Sequence, residues 1–472
     1  MLTRKIIIGI VGIYGVFLFS SCGMNAGVNE DAGIFPAGSG KLEAAQEIDA
    51  VSNEIVDIMN YSDDYTWVRY LQGNQSNSTS PQYYYAITDK AGTVTTIVNN
   101  LSDYPETGFL HGVSYVTVSN KDYVIDTNGN VIISAEGDDN NSIVAYGSDE
   151  KHAYFMIHKR EADFSSSREE YIVYNESGTV LNTFTAQITY DKVWYCGETV
   201  WAFQNTENVF GAKSCKFFNH DNGLFFDVDG LASEPGWINN RFSSGFATNE
   251  LTQGGRPVCI NSKNGSISVY EYEDLDAYVQ EYERSMSVGR MSNNVAVFLV
   301  YNYYATKKED VPIYFFGYIK PVEKSDGSIF IETKSFDSSL VNKMFAKDIS
   351  RYDNYMFDKN GHMLIQLTGA DGLNYFSILN MDGKMIVDPI AYDTMYNDYI
   401  SCDRFSFEYN NVLYVCDGEG RTIFSSQGTN WRKISEYSND VAVIDNHVLI
   451  DKDGNILYNK LNLNHAQEIS LN

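Results

Sequence analysis

Short apolar runs, each broken by a polar turn that ends in glycine, recur along nearly the whole chain. In Val448-Leu449-Ile450-Asp451-Lys452-Asp453-Gly454-Asn455-Ile456-Leu457-Tyr458, Asp451 can hold its own backbone two residues on, and Gly454 takes the positive φ that returns the chain in register. That stretch predicts a hairpin. The same pattern places turn glycines at Gly92, Gly129, Gly178, Gly223, Gly265, Gly327, Gly361, Gly383, Gly420 and Gly454. Many turns are preceded by a further strand pair, as in 112–118 and 439–444, so each unit holds three or four strands. Successive glycines lie 22 to 62 residues apart. The shortest gap, Gly361 to Gly383, is too small for a four-stranded unit and suits two turns of one blade; the longest contains an insertion. Repeats of this length mark propellers and solenoids, and four-stranded blades take about 40 to 45 residues. The expectation is an all-β chain whose residues 61–460 form a β-propeller of seven or eight blades.

Other periodicities interrupt this pattern. Ile48, Val51, Ile55 and Ile58 recur at helical spacing among acids, which predicts one amphipathic helix over 42–60 that caps the first repeat. Leu275, Val279, Tyr282 and Met286 do the same, predicting an acidic helical insertion over 270–290. Residues 461–472 read as a C-terminal tail. At the other end Arg4 and Lys5 precede a weakly polar run from Ile6 to Phe19, too short to span a bilayer and suited to a signal peptide over 1–22. Residues 23–41, rich in Gly, Ala and Asn, then read as a flexible tether.

Composition agrees with strands: 35 Tyr and 26 Phe stand against 8 Pro. A formal charge of −28 opposes contact with a phosphate backbone, so nucleic acid is not an expected partner.

Two stretches resemble known families. Leu18-Phe19-Ser20-Ser21-Cys22-Gly23 resembles a bacterial lipoprotein signal, which implies lipidation at Cys22 and an extracytoplasmic body whose only membrane contact is that N-terminal lipid. The segments 403–423 and 436–454 resemble WG repeats, with Tyr or another residue where that family carries its Trp-Gly pair. The resemblance implies a β-repeat scaffold and says little of activity.

Motifs of chemistry are few. Asp451 to Asn455 begins like a calcium-binding EF-hand loop, but Ile456 stands where the sharp turn needs Gly and Asn462 where a bidentate Glu is needed. Ser148-Asp149-Glu150-Lys151 fits Ser-x-x-Lys within a polar loop, without the helix that motif requires. The seven His are scattered; only His152 and His158 could share a strand face, and no catalytic, metal or cofactor site is expected. Cys196 with Cys215 and Cys402 with Cys416 could pair across strands, with Cys259 left over, or all five could be free thiols. Trp237, just after a turn, is the candidate for stacking against a sugar ring. The expected role is a non-catalytic surface lipoprotein that binds or scaffolds a protein or glycan of the cell envelope or exterior. The alternative is an exported enzyme acting on polysaccharide or peptide through acids gathered at the propeller mouth.

Overall fold

The computed structural model describes residues 54–471 apart from stretches within that span, the longer of them 72–81, 161–168, 227–241, 270–283, 303–312, 337–344 and 347–354. The described strands form nine sheets that follow one another along the chain. Each is a blade built on an antiparallel meander of consecutive strands: blade 1 (54–98, with one further strand described below), blade 2 (113–135), blade 3 (141–186), blade 4 (192–226), blade 5 (246–269), blade 6 (284–335), blade 7 (345–392), blade 8 (394–425) and blade 9 (441–458). Among the described residues blades 2, 5 and 9 have three strands; in place of a fourth stand isolated bridges, Leu110 to Val113 in blade 2, Ser243 to Phe246 in blade 5, and both Ile434 to Ile444 and Ser438 to Val441 in blade 9.

The turns make the blades repeat. At Asp451 one carboxylate oxygen accepts the Asp453 and Asn455 amides (2.9 and 2.8 Å), and the carbonyl accepts the Gly454 amide (3.1 Å). Asp89, Asp126, Asn175, Asn380 and Asp417 repeat the arrangement. A second kind of hairpin uses two consecutive residues at positive φ, as at Asp63-Asp64, Ser119-Asn120, Asn293-Asn294 and Asn410-Asn411. Such pairs match the twist of the flanking strands, and Asn and Asp tolerate the left-handed region best after Gly.

Nine apolar clusters fill the nine seams between successive blades. Trp67, Tyr85 and Phe109 meet Val116 and Tyr123 between blades 1 and 2, and Phe376 meets Phe405 and Phe407 between blades 7 and 8. The last cluster joins Val441, Val443 and Leu449 of blade 9 to Ile55, Ile58 and Val68 of blade 1, so the ring is closed. Closure is tightened by Gln467–Ile469, which pairs parallel with Val94–Val98 as a fifth strand of blade 1.

The first and last hairpin turns of a four-stranded meander leave the same end of the sheet, so one face of the ring carries both sets. On that face side chains staple neighbouring blades together. The Gly112 amide donates to Asp63 (3.0 Å), Asn293 to the Phe357 carbonyl (2.8 Å), Arg404 to the Lys452 carbonyl (2.7 Å) and Lys90 to the Asn439 carbonyl (2.7 Å).

Four expectations are corrected. Nine blades replace seven or eight: the span 61–460 divided by the roughly 40 to 45 residues of a four-stranded blade already gives about nine, and the structure has nine sheets. The helix expected over 42–60 is a strand where it is described, Glu54–Ile58; the rest lies outside the described residues. A bulge between Ile55 and Asp57 puts Ile55 opposite Tyr70 and Ile58 opposite Val68, so residues three apart face one core and imitate helical spacing. Of the insertion expected over 270–290, Arg284 onward is the strand Arg284–Ser292, and 270–283 lie outside the described residues. The tail expected over 461–472 supplies the closing strand, so the body is not limited to 61–460.

Candidate functional site

The turn face carries a cavity of about 830 Å³ across blades 3 to 6. Its wall comes from the first turns of blades 3, 4 and 5 and the last turns of blades 4 and 5, with Met291 of blade 6 beside them. The lining mixes polar and apolar surface: Ser243 and Ser262 bring hydroxyls, Asn219 and Asn222 side-chain amides, Lys151 and Lys263 two cations, Asp149, Glu150, Glu198 and Asp221 four acids, and Phe242 and Met291 apolar surface.

Two of these acids are held by the scaffold. Asp149 accepts the Lys151 and His152 amides on one oxygen (2.7 and 2.8 Å) and the Tyr154 hydroxyl on the other (2.8 Å). The Gly245 amide donates to both oxygens of Glu198 (2.9 and 3.1 Å), joining blade 4 to blade 5. The Asn219 side chain donates to the Ser262 carbonyl and that of Asn222 to the Lys263 carbonyl, both at 2.9 Å, across the same seam. Glu150 and Lys151 are exposed at the lip.

Behind the wall His220 is buried, 2 % exposed. Trp201 donates its indole N–H to His220 Nδ1 (2.9 Å), which fixes the neutral ring with its hydrogen on Nε2. Nε2 lies 3.7 Å from Asp221 Oδ1, beyond hydrogen-bonding distance. Burial lowers the imidazole pKa to about 4, against the pull of Asp221 and Asp149. Because the folded value lies below the unfolded value of about 6.5, the unfolded chain takes up the proton first. Stability is therefore complete above about pH 6.5 and falls as pH drops toward 4, by about 3 kcal/mol in total. His220→Gln, whose amide oxygen can still accept the Trp201 N–H, should flatten the fall of melting temperature between pH 6.5 and 4.5 relative to wild type. Parallel curves would remove His220 as the cause.

The residues singled out by sequence are dispersed. Ser148 to Lys151 lines the cavity as a hairpin turn, without a helix. His152 pairs with Glu176 (3.0 Å) and His158 with buried Glu169 (2.5 Å), so they do not share a ligand set. Cys196, Cys215, Cys259, Cys402 and Cys416 form no disulfide among the described residues. Burial pushes Cys259 and Cys416 up to about 12, so neither is a ready nucleophile. Cys22 and Trp237 lie outside the described residues. Among those residues no helix is long and apolar enough to cross a membrane. His220, Glu198 and Asp221 carried no sequence signal, since they meet the Ser148 to Lys151 turn only when the ring brings blades 3 and 4 together.

No family model matches the chain, and no curated protein matches it. Solved structures similar to it include an uncharacterized protein of Listeria monocytogenes, at 9% identity and TM-score 0.37, with 78% of this chain and 97% of that one covered. The β-propeller domain of the Trilobed protease of Pyrococcus furiosus, described as having an open velcro topology, gives 10% identity, TM-score 0.26 and coverage of 71% and 98%. A post-proline cleaving enzyme of Rickettsia typhi gives 7%, 0.33, and 77% and 57%.

Proposed function

We propose that this chain is a non-catalytic surface lipoprotein, anchored through lipidated Cys22, whose WG-like propeller binds a glycan or protein of the cell envelope or exterior through the cavity across blades 3 to 6. The observation that carries this reading is how the cavity acids are used. Asp149 and Glu198 spend both carboxylate oxygens on the scaffold, which suits a rigid recognition surface better than proton transfer. The Ser243 and Ser262 hydroxyls interleaved with both signs of charge fit a polar, uncharged or zwitterionic ligand, and turns on a rigid ring are where specificity commonly sits.

The test is calorimetric titration of the lipid-free body with oligosaccharides and solubilised proteins from the source envelope. Glu150→Arg combined with Lys151→Glu changes only the exposed lip and should leave the melting temperature unchanged. A ligand seated in the cavity should then bind at least about tenfold more weakly, about 1.4 kcal/mol. Undiminished binding would move the site elsewhere. Turnover of an envelope polymer by the wild-type chain, abolished by Asp221→Asn, would replace the binding module by the exported enzyme.

A further inference from the structure

The side chains of Asp358, His362 and Asp403 converge on the turn face at the seam between blades 7 and 8, away from the cavity. Asp358 and His362 belong to the turn before the strand His362–Thr368, and Asp403 to the two-residue hairpin Cys402-Asp403 of blade 8. One donor atom from each lies within 4.8 Å of the others.

Two further observations point to a ligand between them. The first is an unmet need for partners. Asp358 spends Oδ1 on the Asn360 and His362 amides (both 2.8 Å), while Oδ2 is buried with no hydrogen-bond partner. His362 Nδ1 is likewise buried without a partner. An orphaned carboxylate oxygen and an orphaned imidazole nitrogen side by side are costly unless something fills the gap. The second is space. A Cβ on Gly418 would stand 2.7 Å from Asp403 Oδ1, 3.0 Å from His362 Nδ1 and 3.4 Å from Asp358 Oδ2, the same three atoms. Gly418 is not among the glycines at positive φ, so its backbone does not require glycine; the missing side chain keeps the gap open.

Asp403 is oriented from behind. Arg404, 7 % exposed, holds Asp403 Oδ2 (2.9 Å) and the Asp403 carbonyl (2.7 Å), which leaves Oδ1 facing the gap with only long contacts to the Asn360 amide group and the Gly418 amide (both 3.3 Å). Such outer partners are what fix first ligands at metal centres.

We infer that Asp358 Oδ2, His362 Nδ1 and Asp403 Oδ1 bind a first-row divalent cation of the Zn²⁺ or Mn²⁺ type, which clips blade 7 to blade 8. Two carboxylates favour a hard dication, and the imidazole selects against Ca²⁺ and Mg²⁺, which prefer all-oxygen shells. Bonds of about 2.0–2.2 Å require each donor to move inward by less than about 1 Å. Three protein ligands leave positions for water or for a donor from a bound partner. The cation occupies the place that side-chain hydrogen bonds hold at the neighbouring seams, Asn293 to Phe357 and Arg404 to Lys452.

The experiment is calorimetric titration of the EDTA-treated full body with Zn²⁺ and with Mn²⁺, alongside His362→Gln, Gly418→Ala and, as control, His152→Gln. The expected result is one saturable site in wild type and control, weakened at least tenfold in both other variants, with a metal-dependent rise in melting temperature of about 2–5 °C at a hundredfold excess over Kd. Gly418→Ala fills the gap without removing a ligand, so it tests the site even if His362→Gln folds poorly. Absence of saturable uptake up to about 1 mM, or affinity unchanged in Gly418→Ala or in a folded His362→Gln, overturns the inference.

Discussion

A chain ending at Lys460 is expected to melt roughly 4–10 °C below the full body and to self-associate. The deletion removes Gln467–Ile469 from the edge of Val94–Val98 and withdraws Leu471, 5 % exposed, from the cluster that holds Trp67 and Phe109. It also strips Leu461, Leu463 and Ala466 from Tyr70, Ala86, Val94 and Ile97. Both hydrogen bonds between Asn100 and the Leu471 backbone go as well. At about 1.5–3 kcal/mol for a fully buried aliphatic side chain, and less for the partly buried ones, the loss comes to about 4–6 kcal/mol. The bared edge of Val94–Val98 is then a template for another chain. Calorimetry with size-exclusion chromatography reads both effects, and a monomer of unchanged melting temperature would show that the seam between blades 9 and 1 closes the ring alone.

Trp201→Ala should destabilise the body by about 3–5 kcal/mol, the cost of emptying a large aromatic site. Trp201 is fully buried at the seam between blades 3 and 4, 5.1 Å from the Tyr195 ring centroid and packed with Tyr154 and Phe203. Removing it also leaves His220 Nδ1 without its donor. Trp201→Phe separates the two effects: it keeps most of the packing and loses only the N–H, so its cost should fall to about 1–3 kcal/mol. In that variant the His220 pKa should rise, because the free Nδ1 can accept a proton. Chemical-denaturation midpoints and a histidine NMR titration measure the two parts. Equal losses in both variants would assign the effect to the hydrogen bond alone.

How far the fold could be read depended on which turn carried a glycine. Of the ten glycines in the repeat, eight join the last two strands of a blade, and Gly327 falls between the last two strands of blade 6 in sequence but outside the described residues. Gly361, set apart by the 22-residue gap, turns into the second strand of blade 7. Nine was thus present in the spacing, since ten glycines of which two share a blade mark nine units. The hairpins at Asp63-Asp64, Asn293-Asn294 and Asn439-Asp440 carry no glycine, so the strand pairs they join left a weaker trace. Residues 54–58 misled because a bulge gave a strand the spacing of a helix. Of the cavity only the Ser148 to Lys151 turn stood out in sequence: Asp149 joins Glu198 and Asp221 in one lining only after blades 3 and 4 have packed. The same holds for Asp358 and Asp403, each of which reads in sequence as an ordinary turn former.

The split composition of blade 1 has a consequence in time. Its first four strands leave the ribosome early, but the strand that covers Val94–Val98 begins only at Gln467. At synthesis rates of roughly 5–20 residues per second, that separation is on the order of 20–70 s. Throughout that interval the nascent chain carries an unpaired edge, and Trp67 and Phe109 lack Leu471 above them. Residues 467–471, made long after the strands they cover, therefore act as a completion signal, and anything that shields a β-edge during synthesis has a defined place to hold until they arrive.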